Sequence, residues 1–431
     1  MKEPWFLPVF FDEMFVTLQC AIMAARCNDA LLWLSMCQRV LRKKIVFMRY
    51  KIFLLILLGM LTAFGPFVTD MYLPALPTMT TYFDTSVSMV QLGLTFSMIG
   101  LAVGQLLIGP ISDKVGRRRP LIASMVLFIV STVACIFSPD VVFFTAMRLL
   151  QGIAGAGGIV ISRSIATDEF SGHELLKMLA VIGAINGIAP IVAPVVGGVM
   201  LSVIDWRGIF LVLLVLGVVL LVGSIMLRES LPVERRSKSG VLGTFASFGV
   251  VARNRRFISY VLQQGFAQFI LFANIASSPF IIQQHYGYSP LVFSVCFGVN
   301  AIAIGVASAL SVKFRRPEDA VATSCAGMLV MSIVIAAVLM LGGSFWAYEI
   351  SLFILMFTMG LTFTASTTLA LNSERERAGA ASAMLGAVCF LSGGIVSPLV
   401  GVGDMLCATG IIFVAGAVLS SIFAYRARNT V

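Results

Sequence analysis

Twelve long apolar runs divide this sequence, and they constrain its fold more than any other feature. Each run has about 20 mostly apolar residues, the length that an α-helix needs to cross the hydrocarbon core of a bilayer. A membrane β-barrel would instead need alternating strands of about ten residues, and none is visible. We therefore predict an all-α membrane protein with twelve transmembrane helices, at residues 52–76, 88–110, 120–138, 140–162, 175–201, 207–227, 257–283, 290–312, 320–341, 346–371, 378–402 and 405–426.

The charge content agrees with a membrane protein. Charged residues make up 12% of the chain and hydrophobic residues 59%, whereas soluble proteins carry roughly 25% charged residues. The net charge is +10, which in a soluble protein could indicate nucleic-acid binding. Here the cations lie in loops beside apolar runs, where topology and anionic lipid headgroups account for them. We expect the lipid bilayer as a partner and no nucleic acid.

The distribution of cations between alternate loops predicts the orientation of the helices. If the first loop lies outside, every loop cation after Lys51 except Arg207 falls on the cytoplasmic side. Such a bias is typical of membrane proteins. We therefore predict twelve spans with both termini in the cytoplasm.

The chain also predicts a division into two similar halves. Residues 228–256 form the longest polar interruption after Met48 and separate six apolar runs from six. A basic Arg-Pro pair follows the second run and another follows the eighth, which indicates two copies of one six-helix unit. Such repeats enclose a central binding site. We predict a six-helix bundle at 48–227, a cytoplasmic linker at 228–256, and a second six-helix bundle with a short tail at 257–431.

Residues 1–47 differ from the rest because they mix apolar and charged residues without a clean span. A short basic segment and the first apolar run begin abruptly at Met48. Our hypothesis is that 1–47 is an atypical extension or a start-site artefact and that Met48 is the natural first residue. The alternative is an amphipathic interfacial helix over about 14–41 that ends at Arg42-Lys43-Lys44.

Two charged residues lie well inside the predicted spans, Asp70 in the first and Arg148 in the fourth. A charge in hydrocarbon costs at least about 2.5–3.5 kcal/mol, so such residues are candidates for function. An acid that is removed from water takes up a proton more readily, as a reversible proton carrier must. An arginine stays charged and can only pair with a neighbour or bias its protonation. Glu349 falls at a span end, near water, so we predict no deep charge in the second half.

Three motifs resemble those of a known transporter family. Residues 109–120, Gly-Pro-Ile-Ser-Asp-Lys-Val-Gly-Arg-Arg-Arg-Pro, form a basic loop that resembles the signature loop between helices 2 and 3 of major facilitator superfamily transporters. Residues 69–77, Thr-Asp-Met-Tyr-Leu-Pro-Ala-Leu-Pro, resemble the first-helix signature of the bicyclomycin-resistance (Bcr/CflA-type) branch of drug:proton antiporters. Arg148-x2-Gln151-Gly152 resembles the family's fourth-helix motif. The resemblance implies two pseudo-symmetric six-helix bundles and roles for Asp70 and Arg148 in proton coupling.

The same resemblance implies a conformational latch in the signature loop. Asp113 would approach the start of the eleventh span, where a helix N-terminus favours an anion. Arg117 would pair with an acid after the fourth span, Asp168 or Glu169. The latch would close only when the cavity opens outward, and so would bias a two-state equilibrium. The predicted latch residues are Gly109, Asp113, Gly116, Arg117 and Asp168.

The fifth span resembles the motif of antiporter branches of the superfamily, Gly-Pro-x2-Gly-Gly, with Ala193 in place of its first glycine. This likeness favours export over uptake. Its prolines and glycines predict a kinked, closely packed helix. The predicted hinge residues are Gly187, Pro190, Pro194, Gly197 and Gly198. Uncharged polar and aromatic side chains suit a tolerant cavity for amphipathic compounds, and the residues predicted to line it are Tyr72, Gln151, Asn186, Gln264, Gln268 and Asn300.

The sequence lacks a phosphate-cradling loop of the Gly-x4-Gly-Lys-Ser/Thr type, a nucleophile–base set and a cluster of metal ligands. We therefore predict a monomeric transporter that is not an enzyme, uses no ATP, metal or other cofactor, and draws on the proton gradient. The predicted function is proton-coupled multidrug efflux of small amphipathic drugs by alternating access. The alternative is export of a metabolite, such as a nucleoside, amino acid or sulfur compound, by the same fold. A membrane sensor would need a soluble signalling domain, which the sequence lacks.

Overall fold

The computed structural model describes residues 30–236, 248–374 and 377–429, and every regular element in these ranges is helical. The helices follow the predicted apolar runs closely. They are α1 (Ala30–Asp70), α2 (Leu76–Tyr82), α3 (Val87–Val115), α4 (Arg118–Ile136), α5 (Val141–Glu169), α6 (Gly172–Leu201), α7 (Trp206–Met226), α8 (Arg255–Phe280), α9 (Pro290–Leu310), α10 (Pro317–Met340), α11 (Phe345–Asn372), α12 (Ala378–Leu399) and α13 (Met405–Asn429).

Eleven helical segments of the described ranges are long and apolar enough to cross a membrane. The first of them, Met48–Tyr82, combines the end of α1 with α2 and the 3-10 turn Leu73–Ala75 between them. Helix α6 supplies the remaining crossing and contains the apolar stretch 188–201. The prediction of an all-α membrane protein with twelve transmembrane helices is confirmed.

The signature loop is shorter than we predicted. Helix α3 continues to Val115 and α4 begins at Arg118, so only Gly116 and Arg117 lie between the two helices. The prediction that the whole of 109–120 is a loop is wrong. The polarity of this segment excludes it from hydrocarbon but does not prevent it from being helical, because a helix forms its backbone hydrogen bonds internally, in water and in lipid alike.

Side-chain caps account for several helix starts. An N-cap oxygen accepts a hydrogen bond from one of the first backbone N–H groups, which have no partner inside the helix. Asp140, for example, accepts from the N–H of Phe143 at 2.8 Å before α5. The other caps of this kind lie before α3, α7, α8, α9 and α11, at Ser86, Asp205, Asn254, Ser289 and Ser344.

Residues up to Ile56 and residues from Leu57 onward form two separate compact units. In the first, the backbone is helical from Ala30 through Arg42-Lys43-Lys44. Residues 1–29, with the start of the helix predicted over 14–41, lie outside the described residues. The origin of 1–47 stays a hypothesis.

The second unit contains two groups of helices that pack on each other. In the first group α5 packs on α3 and α4, and α4 packs on α7. In the second group α8 packs on α11, α12 and α13, while α11 also packs on α9 and α10. The two groups meet along α3 with α12 and along α6 with α9. The predicted domain boundaries at 227 and 257 stay a prediction.

Glycines allow α3 and α5 to approach each other backbone to backbone. A Cβ atom on Gly152 of α5 would collide with the carbonyl oxygen of Ser97, and one on Gly100 of α3 with that of Leu149. Both of these oxygens are backbone atoms, which cannot move aside as the end of a flexible side chain can. Small residues at such positions are how membrane helices gain van der Waals contact, and this contact fixes α5, the helix that carries Arg148.

We predict that Gly152→Ala lowers the free energy of unfolding by roughly 1–3 kcal/mol, because the added methyl group forces two backbones apart. The matched control is Gly305→Ala in α9, where a Cβ would have no neighbour within 4 Å. The control should be neutral or stabilising, since alanine favours a helix over glycine by about 1 kcal/mol. Thermal unfolding of the purified protein in detergent measures both, and equal midpoints would contradict the close approach.

Candidate functional site

Asp70 is the last residue of α1 and is buried, with 6% of its surface exposed. Its Oδ1 accepts a hydrogen bond from the Thr69 hydroxyl at 2.7 Å. No salt bridge of the described residues includes Asp70. The carboxyl group is therefore inside the protein rather than facing lipid, with a neutral donor beside it and no cation bound to it.

Arg148 on α5 is fully buried and reaches the helix that carries Asp70. Its Nη2 donates to the carbonyl oxygen of Val68 at 2.9 Å. Because α1 ends at Asp70, this carbonyl is one of the last four, which have no partner within the helix. The negative end of a helix dipole also favours a cation there. Arg148 thus binds the end of α1 through its backbone, and a direct pair with the acid is not formed.

The other contacts of Arg148 also come from within the first group of helices. Its Nη1 donates to Gln151 Oε1, and Gln151 Nε2 donates to Thr132 Oγ1 at 2.7 Å. The guanidinium carbon lies 4.4 Å from the centre of the Tyr72 ring. Both ends of the Gln151 amide are occupied, so this residue supports the guanidinium, and its predicted place in the cavity lining stays a prediction.

Tyr72 follows Asp70 by two residues and is fully buried. Its ring packs between Arg148 and Phe210, with ring centres 5.9 Å apart for the aromatic pair. The phenol oxygen has no hydrogen-bond partner. A buried hydroxyl without a well-formed hydrogen bond is costly, and the polar group that lies near this one is the Arg148 guanidinium.

The predicted hinge motif on α6 packs directly against the segment after Asp70. A Cβ on Gly197 would collide with the carbonyl oxygen of Met71, and one on Gly198 with the Ser294 hydroxyl of α9. Pro190 and Pro194 lie inside the same helix. Asn186 and Gly187 are in α6 too, but their surroundings lie outside the described residues. The motif therefore contacts both the candidate acid's segment and the second group of helices.

The predicted pair between Arg117 and Asp168 is present at the turn between α3 and α4. Arg117 is buried, and its Nε donates to Asp168 Oδ2 at 2.9 Å. Its Nη1 contacts Asp113 Oδ1 at 2.5 Å and Ser112 Oγ at 2.8 Å. Burial lowers the pKa of the Arg117 guanidinium, but the hydrogen bonds to Asp168 and Asp113 outweigh it and raise this pKa above its ordinary value. Arg117 is held as a cation at this position.

The two predicted latch glycines, Gly116 and Gly109, differ in how closely they are packed. Gly116 has a φ of 103°, a conformation that L side chains rarely adopt. Glu229, just after α7, approaches it and accepts from the N–H of Arg117 at 2.7 Å. Gly109 lies earlier in α3, where a Cβ would only be in ordinary contact with Val160.

The two groups of helices are hydrogen-bonded to each other at the face opposite this turn. The bonds run from Gln283 Nε2 to Pro74 O at 3.1 Å, from Gln91 Nε2 to Ala276 O at 3.1 Å, and from Ser88 Oγ to Pro398 O at 3.4 Å. The structure is therefore closed at that face.

The conformational behaviour of the latch stays a prediction. Arg117 and Asp168 belong to the same group of helices, so their contact alone does not report on the separation of the two groups. The salt bridge of Asp113 is with Arg117, although half of its side chain, 51%, stays exposed. Its predicted approach to α12 stays a prediction.

In the second group, the predicted cavity residues have different surroundings. Gln264 is buried and accepts from the Thr367 hydroxyl at 3.1 Å. Gln268 is half-buried, and its Oε1 has no partner. Asn300 is buried and donates to Glu349 Oε1 at 2.8 Å. Of the three, Gln268 is the best placed to meet a ligand.

The burial of Glu349 was not predicted from the sequence. The residue is 9% exposed, although it lies only one helical turn from the start of α11. The prediction that the second half has no deep charge is wrong. Distance from a span end does not measure burial, because the neighbouring helices α8 and α9 cover this position. A carboxylate in the tenth span and an asparagine in the eighth were the available signal.

Among the described residues, no three His, Cys, Asp or Glu side chains come together as metal ligands. The absence of a cofactor stays a prediction.

Comparison with known proteins gives three consistent findings. The Major Facilitator Superfamily model matches residues 36–398. The uncharacterised MFS-type transporter YdgK of Bacillus subtilis is 38% identical over 373 residues, covering 85% of this chain and 93% of the relative. The bicyclomycin resistance protein homolog of Haemophilus influenzae is 28% identical over 380 residues, covering 85% and 94%. Among solved structures, the xylose transporter XylE of E. coli is similar with a TM-score of 0.70 at 14% identity, over 88% and 97% of the chains.

For the cluster around Arg117, we predict that Asp168→Asn lowers the free energy of unfolding by roughly 1–3 kcal/mol, because buried guanidinium hydrogen bonds lose their charged acceptor. The matched control is Asp113→Asn, which removes the half-exposed acid and should cost at most about 1 kcal/mol. Thermal unfolding in detergent compares the two variants. If Asp113→Asn cost as much as Asp168→Asn, Asp168 would not be the principal partner of Arg117.

Proposed function

Because the chain belongs to the major facilitator superfamily, whose members are membrane transporters rather than enzymes, we propose that it is a proton-coupled antiporter that exports small amphipathic drugs. It would act in the bacterial inner membrane, with both termini in the cytoplasm, and would be driven by the proton gradient. The observation that carries this proposal is Asp70, a buried carboxyl group with no bound cation at the end of the first transmembrane crossing.

The chemistry of Asp70 suits a group that alternates between two protonation states. An ionised carboxylate in a low-dielectric site is unfavourable unless a cation or several donors compensate it. Asp70 has the Thr69 hydroxyl as a donor, while the nearby cation is engaged by the Val68 carbonyl and Gln151. A proton neutralises the group when no cargo is present, and a cargo that offers a cation or hydrogen-bond donors can replace the proton.

Arg148 would act through its fixed positive charge near the site rather than by forming an ion pair with Asp70. Its charge is permanent, and it is tied to a carbonyl only two residues before Asp70. Any movement of the end of α1 therefore moves the acid relative to the guanidinium. In the proposed cycle, cargo enters from the cytoplasm as Asp70 loses its proton. The bundles then rock, cargo leaves outward, and Asp70 is protonated again.

Three further observations support export of drugs. The segment around Asp70 contacts the α6 motif, which resembles that of antiporter branches, through Gly197 and the Met71 carbonyl. One of the relatives above carries the name of a bicyclomycin resistance protein homolog. Uncharged polar groups such as Gln268 suit a site that accepts varied amphipathic compounds.

We predict that Asp70→Asn abolishes proton release when bicyclomycin or ethidium is added to the purified protein, and that it reduces efflux by about tenfold or more, since a loss of 1.4 kcal/mol in coupling already gives that factor. The matched control is Asp84→Asn. Asp84 is exposed with a φ of 46°, and asparagine tolerates that conformation as well as aspartate does. The control should release protons and pump like the parent chain.

A variant Asp70→Asn that released protons and pumped normally would contradict the assignment of the coupling acid. If neither compound released protons from the parent chain, the same titration with a nucleoside, an amino acid and a sulfur compound would test the metabolite alternative. Resistance on overexpression in a pump-deficient bacterial host gives an independent measure, since a drug exporter should raise the tolerated concentration.

A further inference from the structure

Glu349 of α11 and Asn300 of α9 form a buried pair of a carboxyl and an amide in the second group of helices. Glu349 is 9% exposed and Asn300 is 4% exposed. Asn300 Nδ2 donates to Glu349 Oε1 at 2.8 Å. The remaining oxygens, Glu349 Oε2 and Asn300 Oδ1, are buried and have no hydrogen-bond partner. Two acceptors of the same pair are therefore left without a well-formed hydrogen bond, and the Cys296 thiol beside Glu349 is only a weak donor.

The residues nearest to Glu349 supply no cation. None of the salt bridges in the described ranges includes it. The titratable groups that interact with it are Cys296 on α9, whose thiol is a weak neutral donor to the carboxyl group, and Tyr348 on α11. The Tyr286 and Tyr348 ring centres are 5.9 Å apart.

The other helices that pack on α11 place no charged side chain near the end of α11 that carries Glu349. Helix α10 carries Glu318 and Asp319 in its first turn, next to the opposite end of the antiparallel α11. The parts of α8 and α12 that lie at the Glu349 end, residues 268–280 and 390–399, contain no ionisable side chain.

Three states of the carboxyl group can be compared. An ionised carboxylate without a cation costs several kcal/mol when buried. A hard metal ion needs about six oxygen ligands or more, and this pair offers only two oxygens without a partner. A proton needs one oxygen to bind to, and it creates a donor stronger than the Cys296 thiol.

We propose that Glu349 and Asn300 form a second proton-binding site, in which the proton is held on Glu349 Oε2. Binding takes one proton from water, forms one O–H bond, and changes the charge of the carboxyl from −1 to 0. The protonated oxygen becomes a donor, and Asn300 Oδ1 is an available acceptor on the partner side chain. The amide already donates to Oε1, so the acid and the amide then satisfy each other.

The balance of buried charge supports this assignment. Within the membrane crossings of the described residues, the buried charged side chains are Asp70, Arg148 and Glu349. With both acids ionised their sum is negative, and with both protonated it is positive. When Asp70 is ionised, as in the proposed cargo-bound state, a proton on Glu349 makes the sum zero, whereas two ionised acids leave a net negative charge in a low dielectric. The two acids belong to different groups of helices, so this inference goes beyond the proposed function and does not depend on it.

The test is infrared spectroscopy of the full chain in phospholipid vesicles, which detects the carbonyl stretch of a protonated carboxyl group. Labelling with 13C-glutamate moves the component that comes from a glutamic acid. Glu349 is the buried glutamate of the described ranges. We expect a labelled component at neutral pH that is absent in Glu349→Gln, and that variant should release about one proton fewer per chain when the pH is raised from neutral until the component of the parent chain disappears.

The matched control is Glu234→Gln, at an exposed position in the 3-10 turn Val233–Arg235, which should keep the labelled component. If the parent chain lacked this component, or Glu349→Gln retained it, the proposal would be overturned. Should Glu349→Gln not fold, Glu349→Asp decides instead, because the labelled component must then be replaced by an unlabelled one. An Asp70→Asn chain that pumped normally but kept the glutamate signal would refute the proposed function and leave this site standing.

Discussion

A charge that is buried in a membrane protein must be compensated by the protein itself, and each buried charge of this chain is compensated differently. Arg117 has two carboxylates beside it. Arg148 has a backbone carbonyl that a helix end leaves free, an amide and an aromatic ring. Asp70 has the Thr69 hydroxyl, and Glu349 has the Asn300 amide and the weak Cys296 thiol donor. Proteins compensate permanent cations with fixed partners, whereas a carboxyl group can also be neutralised by a proton. Among the buried charged groups of the described residues, the two acids are therefore those that we propose change their charge during transport.

The helices could be predicted from the sequence because hydrocarbon requires long apolar segments, and such segments are visible as runs of residues. The residues at which the helices begin and end could not be predicted in the same way. Helices α3 and α5 extend to Val115 and Glu169, beyond the apolar runs that end near 110 and 162. The bilayer determines where apolar residues stop, but caps and local contacts determine where a helix stops. For the same reason, the basic signature segment is mostly helix.

The site was predicted in part. The depth of Asp70 and Arg148 within long apolar runs indicated that both are buried, and the motif around Arg117 indicated its pair with Asp168. Contacts that depend on three-dimensional packing could not be predicted from the sequence. Gln151 supports Arg148 because residues three apart share a face of one helix. Glu349 is buried by other helices, and a span boundary contains no information about such neighbours.

The two ends of the linker are each fastened to a different group of helices. Glu229 accepts from the Arg117 and Arg118 N–H groups, and Asn254 donates to Ser373 O and Glu374 Oε1. The stretch of chain between Glu229 and Asn254 is therefore the covalent connection between two anchored points. Fully extended, it cannot span more than about 90 Å. Its length sets an upper limit on how far the two anchors can separate while both sets of hydrogen bonds hold.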